Sequence, residues 1–401
     1  MLGSRKLIID TRSEIYGMIK DRADGIFWNF EQHVQKNELV PGAVYVIGRE
    51  QACIHAPLIH NLVKSNTILV VYSNPTEGSE PMEHNLIKYG YIEPIKLKKV
   101  IVVTGGEINP TYTHLLYENF LTKIHDYNEN IQAIEEYATE QQSSRPYKFL
   151  FLNGRMRDHR KYLLFYFRDA GLLDQALWTN LDSGIGVGPI ATRIENPGDI
   201  INLPIPGQDI TKLLLNETFP MQYLPAEYEV DRYRKQITSY TDNPQARVDL
   251  PIKKHLFQNE WGEVYLNSKT YLDTYFSIVT ETVFSLNRSF RTEKIWKPIA
   301  IGHPFIVASN RGYYRDLQNL GFRTFGHLID ESFDTIDNPQ DRIERIAAVT
   351  KDLCQQDLPA FVTAAGEVCK YNQQLLEELR PKVRAEFPER FFQFINRHFN
   401  E

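Results

Sequence analysis

Cysteine is almost absent. Cys53, Cys354 and Cys369 are the only three in 401 residues, and neither their number nor their spacing suits a disulfide framework or a zinc site. The expectation is buried thiols in a reducing compartment. No run approaches the roughly 18–20 consecutive apolar residues of a membrane span, and residues 1–10 lack the long apolar core of a secretion signal. Positive charge is not in excess either: 45 Lys and Arg stand against 51 Asp and Glu. That balance argues against a general nucleic-acid binder while leaving room for a local basic groove. Nor is there a G-x-G-x-x-G pattern, since Gly105-Gly106 stands alone, which disfavours a dinucleotide enzyme such as an epimerase. What remains is a globular composition, long enough for two or three domains at roughly 100–200 residues each. A soluble, cytoplasmic protein without a membrane span is expected.

The chain alternates short β-branched strands with helical stretches. After a helical lead-in (13–35), strands are expected at 43–48, 67–72 and 99–104, with helices at 52–64 and 81–89 between them. Three such units with polar loops at one end form a Rossmann-like half. A helix at 128–142 and the linker Ser143-Ser-Arg-Pro146 close it. The second half opens with Tyr147-Lys-Phe-Leu-Phe-Leu152, then Asn153-Gly-Arg-Met-Arg-Asp-His-Arg160, then a helix over 161–170. Arg155, Arg157, His159 and Arg160 crowd just past a buried strand. Arg suits bidentate phosphate contact, and cations at a helix N-terminus are unfavourable without an anion. A solvated first helical turn is the plainer alternative. Residues 183–265 are irregular and rich in Gly, Pro and Tyr, and form an insertion that covers a cleft or packs on the sheet. Asp182, at its edge, is a weak site candidate.

The densest chemistry lies between 275 and 308. Tyr275-Phe-Ser-Ile-Val-Thr-Glu-Thr282 reads as a strand. Thr292 is placed to cap a helix bearing Ile295, Trp296 and Ile299, and Phe305-Ile-Val-Ala308 is a second strand. Glu281 falls at a strand end, where a carboxylate suits a sugar or ribose hydroxyl. Arg291, Thr292 and Lys294 fall at a helix start, where N–H groups and the dipole attract anions such as a diphosphate. Pro298 removes one hydrogen bond to a carbonyl near Lys294, so a kink or late helix start is expected.

Glu281, Thr292-Glu293-Lys294 and Pro304-Phe-Ile-Val307 together resemble the nucleotide-sugar site of the α-1,3-fucosyltransferase-like glycosyltransferases. Gly321-Phe-Arg-Thr-Phe325 through Ile329-Asp-Glu-Ser-Phe-Asp334 is similar to bacterial and phage relatives of that superfamily. The Asn, Arg and His-Arg cluster at 153–160 is similar to them as well. The chain departs from the pattern in following Glu281 with Thr-Val rather than Asn. The resemblance covers the last third of the chain well and the middle weakly.

It implies an α/β fold of two Rossmann-like domains facing a cleft, the GT-B layout. Residues 1–145 would form the acceptor side and 146–380 the donor side, with a helix at 381–401 crossing back. The implied activity is sugar transfer from a GDP- or UDP-linked donor to a glycan, protein or modified-nucleobase hydroxyl, with no required metal. Asn153, Arg155, Arg157, His159, Arg160, Glu281, Arg291, Thr292, Glu293 and Lys294 would bind the donor. Glu107, then Glu77, are the candidate catalytic bases on the first domain. The acidic group Asp330, Glu331 and Asp334 is expected to hydrogen-bond neighbouring backbone. Two other classes fit: a phage-type enzyme glycosylating modified DNA bases, and a non-catalytic nucleotide-sugar or glycan-binding protein. Residues 341–354, 358–379 and 383–399 are expected to be three packing helices.

Overall fold

In a computed structural model, the described residues are 7–10, 13, 15–19, 27–29, 40, 42–48, 69–74, 100–106, 113–123, 144–154, 156–181, 219–220, 222–225, 228, 268–285 and 288–400. They form an α/β protein with two parallel sheets. The first contains β1 (Leu7–Ile9), β2 (Phe27–Asn29), β3 (Val44–Gly48), β4 (Leu69–Asn74), β5 (Val100–Thr104) and β6 (His114–Leu116), in the order β2-β1-β3-β4-β5-β6. The second contains β7 (Tyr147–Asn153), β8 (Ala176–Asn180), β9 (Thr274–Thr280) and β10 (Phe305–Ala308), in the order β10-β9-β7-β8. Every pairing within both sheets is parallel. Strands β3 and β10 are buried along their whole length, as strands covered on both faces must be.

Counted within each sheet, the two orders are alike: the first strand lies between the second and the third. The chain therefore reverses its direction of growth at β1/β3 and again at β7/β9. In open parallel sheets the crevice outside the carboxyl ends at such a point is where ligands bind.

The described α-helices are α1 (Tyr16–Ile19), α2 (Asn119–Lys123), α3 (Asp158–Asp169), α4 (Ser268–Leu272), α5 (Glu293–Ala300), α6 (Tyr313–Asn319), α7 (Pro339–Leu353) and α8 (Leu358–Asn400). The expected lead-in helix is corrected: among its described residues only Tyr16–Ile19 is helical, and Phe27–Asn29 is a strand on the first sheet. Aromatic Phe27 and Trp28 follow Gly25, a break that favours strand over helix. The first sheet's edge strand β6 and the helix α2 had no clear sequence signal.

The two expected terminal helices are one. α8 runs through Pro381 and Pro388, although an interior proline costs about 3 kcal/mol. Packing at both ends offsets that. Near its start, Phe361, Ala365 and Leu376 sit in the core of the second sheet. Near its end, Phe387, Phe391 and Ile395 sit against Leu7, Val44 and Ile101 of the first. Burying a large apolar side chain is worth about 1.5–3 kcal/mol, so three or four of them outweigh the prolines. Conversely, Phe120 and Leu121 of α2 join the second core.

Helix α5 starts directly after Thr292, whose side chain accepts from the Lys294 amide, so the late start expected from Pro298 does not occur. Ile295, Trp296 and Ile299 are buried as the periodicity requires.

Candidate functional site

The carboxyl ends of β7 and β9 converge with the starts of α3 and α5. Asn153, the last residue of β7, is buried. Its side-chain oxygen accepts from Thr280 Oγ1 at 3.2 Å, while its Nδ2 has no partner among the described residues. From the first turn of α3, His159 Nε2 lies 3.0 Å from the Glu281 carbonyl, and Arg160 donates to the Thr280 carbonyl at 2.8 Å and to that of Glu281 at 3.3 Å. Burial, then the charges of Arg160 and Arg157, hold His159 neutral well below the ordinary imidazole value. Nε2 must therefore carry the proton that the carbonyl accepts. Stacked on Phe284 with centroids 4.9 Å apart, this ring ties α3 to the exit of β9. His159 and Arg160, both expected at a diphosphate, bond the backbone carbonyls at the exit of β9.

Glu281 is likewise internal. Its Oε1 accepts from the Thr292 amide at 3.0 Å and the Tyr313 hydroxyl at 2.9 Å, and its Oε2 from Thr292 Oγ1 at 2.6 Å. Burial raises its carboxyl above the ordinary range, against Lys294 and Thr292, which favour the charged form. Burial, then the Glu281 charge, pushes Tyr313 well above a normal phenol. The carboxylate expected to meet a sugar or ribose hydroxyl is thus held by the chain's own groups, Oε1 accepting twice and Oε2 once. Tyr313 escaped the sequence reading because nothing local links it to a residue 32 positions away.

Arg291 is 1% exposed and paired across the two sheets with Glu118, its Nε donating to Oε1 at 3.0 Å and its Nη2 to the same atom. This partner, at the exit of β6, was also missed. Beside it, Phe290 forms an antiparallel bridge with Gly106, just past β5. A Cβ on Gly106 would lie 3.0 Å from Ser289 and Phe290 atoms, so glycine permits the approach. The carboxyl ends of the two sheets thus meet at this seam.

At the start of α5, Lys294 Nζ bonds Glu293 at 2.7 Å and Thr292 Oγ1 at 3.1 Å, with the lysine side chain 28% exposed. Burial would raise the Glu293 carboxyl, but Lys294 and Lys297 outweigh it and hold it below its usual value. Lys294 is thus paired yet partly exposed at this helix start. The start of α3 differs: half-buried Arg157 occupies the cap position in extended conformation, and no side chain caps the helix. Arg155, Glu107, Glu77 and Asp182 lie outside the described residues.

Further along, Asp330, Glu331 and Asp334 accept from the amides of Ser332, Phe325 and Tyr314. Cys354 and Cys369 are buried free thiols, pushed up to about 12 by burial. Among the described residues no helix is long and apolar enough to cross a membrane. No family model, no curated protein and no solved structure matches the chain.

Proposed function

We propose that the protein is a glycosyltransferase of GT-B layout, moving a sugar from a GDP- or UDP-linked donor to an acceptor hydroxyl without a required metal. Residues 146–380 form the donor domain with the 183–265 insertion, residues 1–145 the acceptor domain, and the end of α8 crosses back. The observation that carries this reading is the meeting of two like-ordered parallel sheets at their carboxyl ends, at the Gly106–Phe290 bridge. Crevices at carboxyl ends are where such sheets take ligands.

Lys294, Arg157 and the uncapped start of α3 supply the cationic side. Groups fixed there stabilise negative charge growing on the departing diphosphate without reorganising during the reaction. The buried amide Nδ2 of Asn153, at the floor of the same strand end, is a further donor. Glu281, His159, Arg160 and Thr292 hold this constellation in place through hydrogen bonds among themselves and to backbone.

The test is chromatographic detection of nucleoside diphosphate released from GDP- and UDP-sugars. Wild type is expected to release one of them, and Lys294→Ala to lower the rate at least tenfold. Release that is unchanged in Lys294→Ala would remove this site from the chemistry.

A further inference from the structure

Glu118 is the one described carboxylate that crosses from the first sheet's carboxyl edge to the candidate site. It stands between β6 and α2, is 5% exposed, and uses a single oxygen, Oε1, for both donors of Arg291. Its other oxygen, Oε2, is buried and accepts from no described residue. Leaving a buried acceptor unsatisfied is costly, so this oxygen marks a place where a donor from outside the chain would be stabilised. Its surroundings locate it. The next helix, α2, packs on α5; Phe120 lies 6.2 Å from Phe290; and the Glu118 charge reaches Tyr313, whose hydroxyl sits on Glu281. Glu118 therefore lies on the first-sheet side of the seam, and Lys294 and Arg157 on the second-sheet side.

Resting on the glycosyl-transfer reading above, we propose that Glu118 is the general base and that Oε2 receives the acceptor hydroxyl. The acceptor oxygen forms its bond to the anomeric carbon as its proton passes to Glu118 Oε2. The bond from that carbon to the diphosphate oxygen breaks, and its electron pair leaves with the diphosphate. The one-sided pairing with Arg291 fixes the carboxylate so that Oε2 is the oxygen left to act. General-base groups of this kind contribute roughly 10²–10⁴-fold.

Azide separates this role from a structural one, because as an anionic acceptor it has no proton to lose. In Glu118→Gln, which keeps an oxygen for Arg291, release of nucleoside diphosphate with water as acceptor is expected to fall at least 100-fold. Azide-dependent release is expected to stay within threefold of wild type. A parallel fall of both reactions, or a fall of neither, overturns the assignment. If Glu118→Gln does not fold, Glu118→Asp, which keeps the negative charge beside Arg291 and draws the oxygens back, is held to the same comparison with at least a tenfold split expected. Should wild type release no diphosphate from any nucleotide sugar, the glycosyl-transfer reading falls and this proposal with it. Should wild type be active and the split not appear, this proposal alone falls.

Discussion

The two helix starts at the second sheet carry similar charges and are built differently. At α5, Thr292 caps the helix, Glu281 holds Thr292, and Glu293 pairs with Lys294. At α3, Arg157 occupies the cap position and no side chain caps the helix, and His159 and Arg160 of the first turn reach inward to the exit of β9. Motif-like residues are therefore not by that fact ligand contacts. The Glu281–Thr292 pair anchors the start of α5, whereas no side chain caps the start of α3.

The largest expected effect breaks the scaffold side. Glu281→Ala strands the Thr292 amide, the Thr292 hydroxyl and the Tyr313 hydroxyl in the interior. At about 1–3 kcal/mol for each buried group left unpaired, a loss of about 4 kcal/mol is expected in urea unfolding. A loss below about 1 kcal/mol would show that Glu281 is not the scaffold's centre.

The next concerns the loop that supports α6. Burial raises Glu331 to about 7, against its bonds from Thr324 and Phe325. An acid with a raised folded pKa keeps its proton in the native state after the unfolded chain has lost it. Its contribution is therefore intact below the ordinary glutamate value and is lost as pH rises to about 7. Wild type is expected to lose stability over that window relative to Glu331→Gln, by at most about 1.4 kcal/mol per pH unit. Parallel stability curves for the two proteins would contradict it.

How much of this was legible follows from range. The strand, cap, helix and strand between 274 and 308 were readable because capping chemistry and apolar spacing are local. The strands β3, β4 and β5 were readable for the same reason. The three-residue strands β1, β2 and β6 are too short to carry a period. Proline marks a helix end by a local rule, which two separate cores override in α8. Glu118 and Arg291 are 173 positions apart, and no spacing announces their pairing. Residue type identified which groups are polar at the strand ends, and only the tertiary contacts separate those that hold the site from those that face it.

The smallest stability effects give the most direct test, because they are expected to separate from binding. Thr292→Ala removes a cap and should cost about 1–2 kcal/mol, whereas Arg157→Ala should cost less than about 1 kcal/mol. The measurement is the thermal shift of wild type and both variants with GDP, UDP, CDP and ADP. A nucleotide at about 100 times its dissociation constant should stabilise wild type by roughly 2.7 kcal/mol. One nucleotide is expected to shift wild type, Arg157→Ala to lose the shift while melting near wild type, and Thr292→Ala to melt lower and keep it. A shift retained in Arg157→Ala and lost in Thr292→Ala would contradict the place given to Arg157 in nucleotide binding.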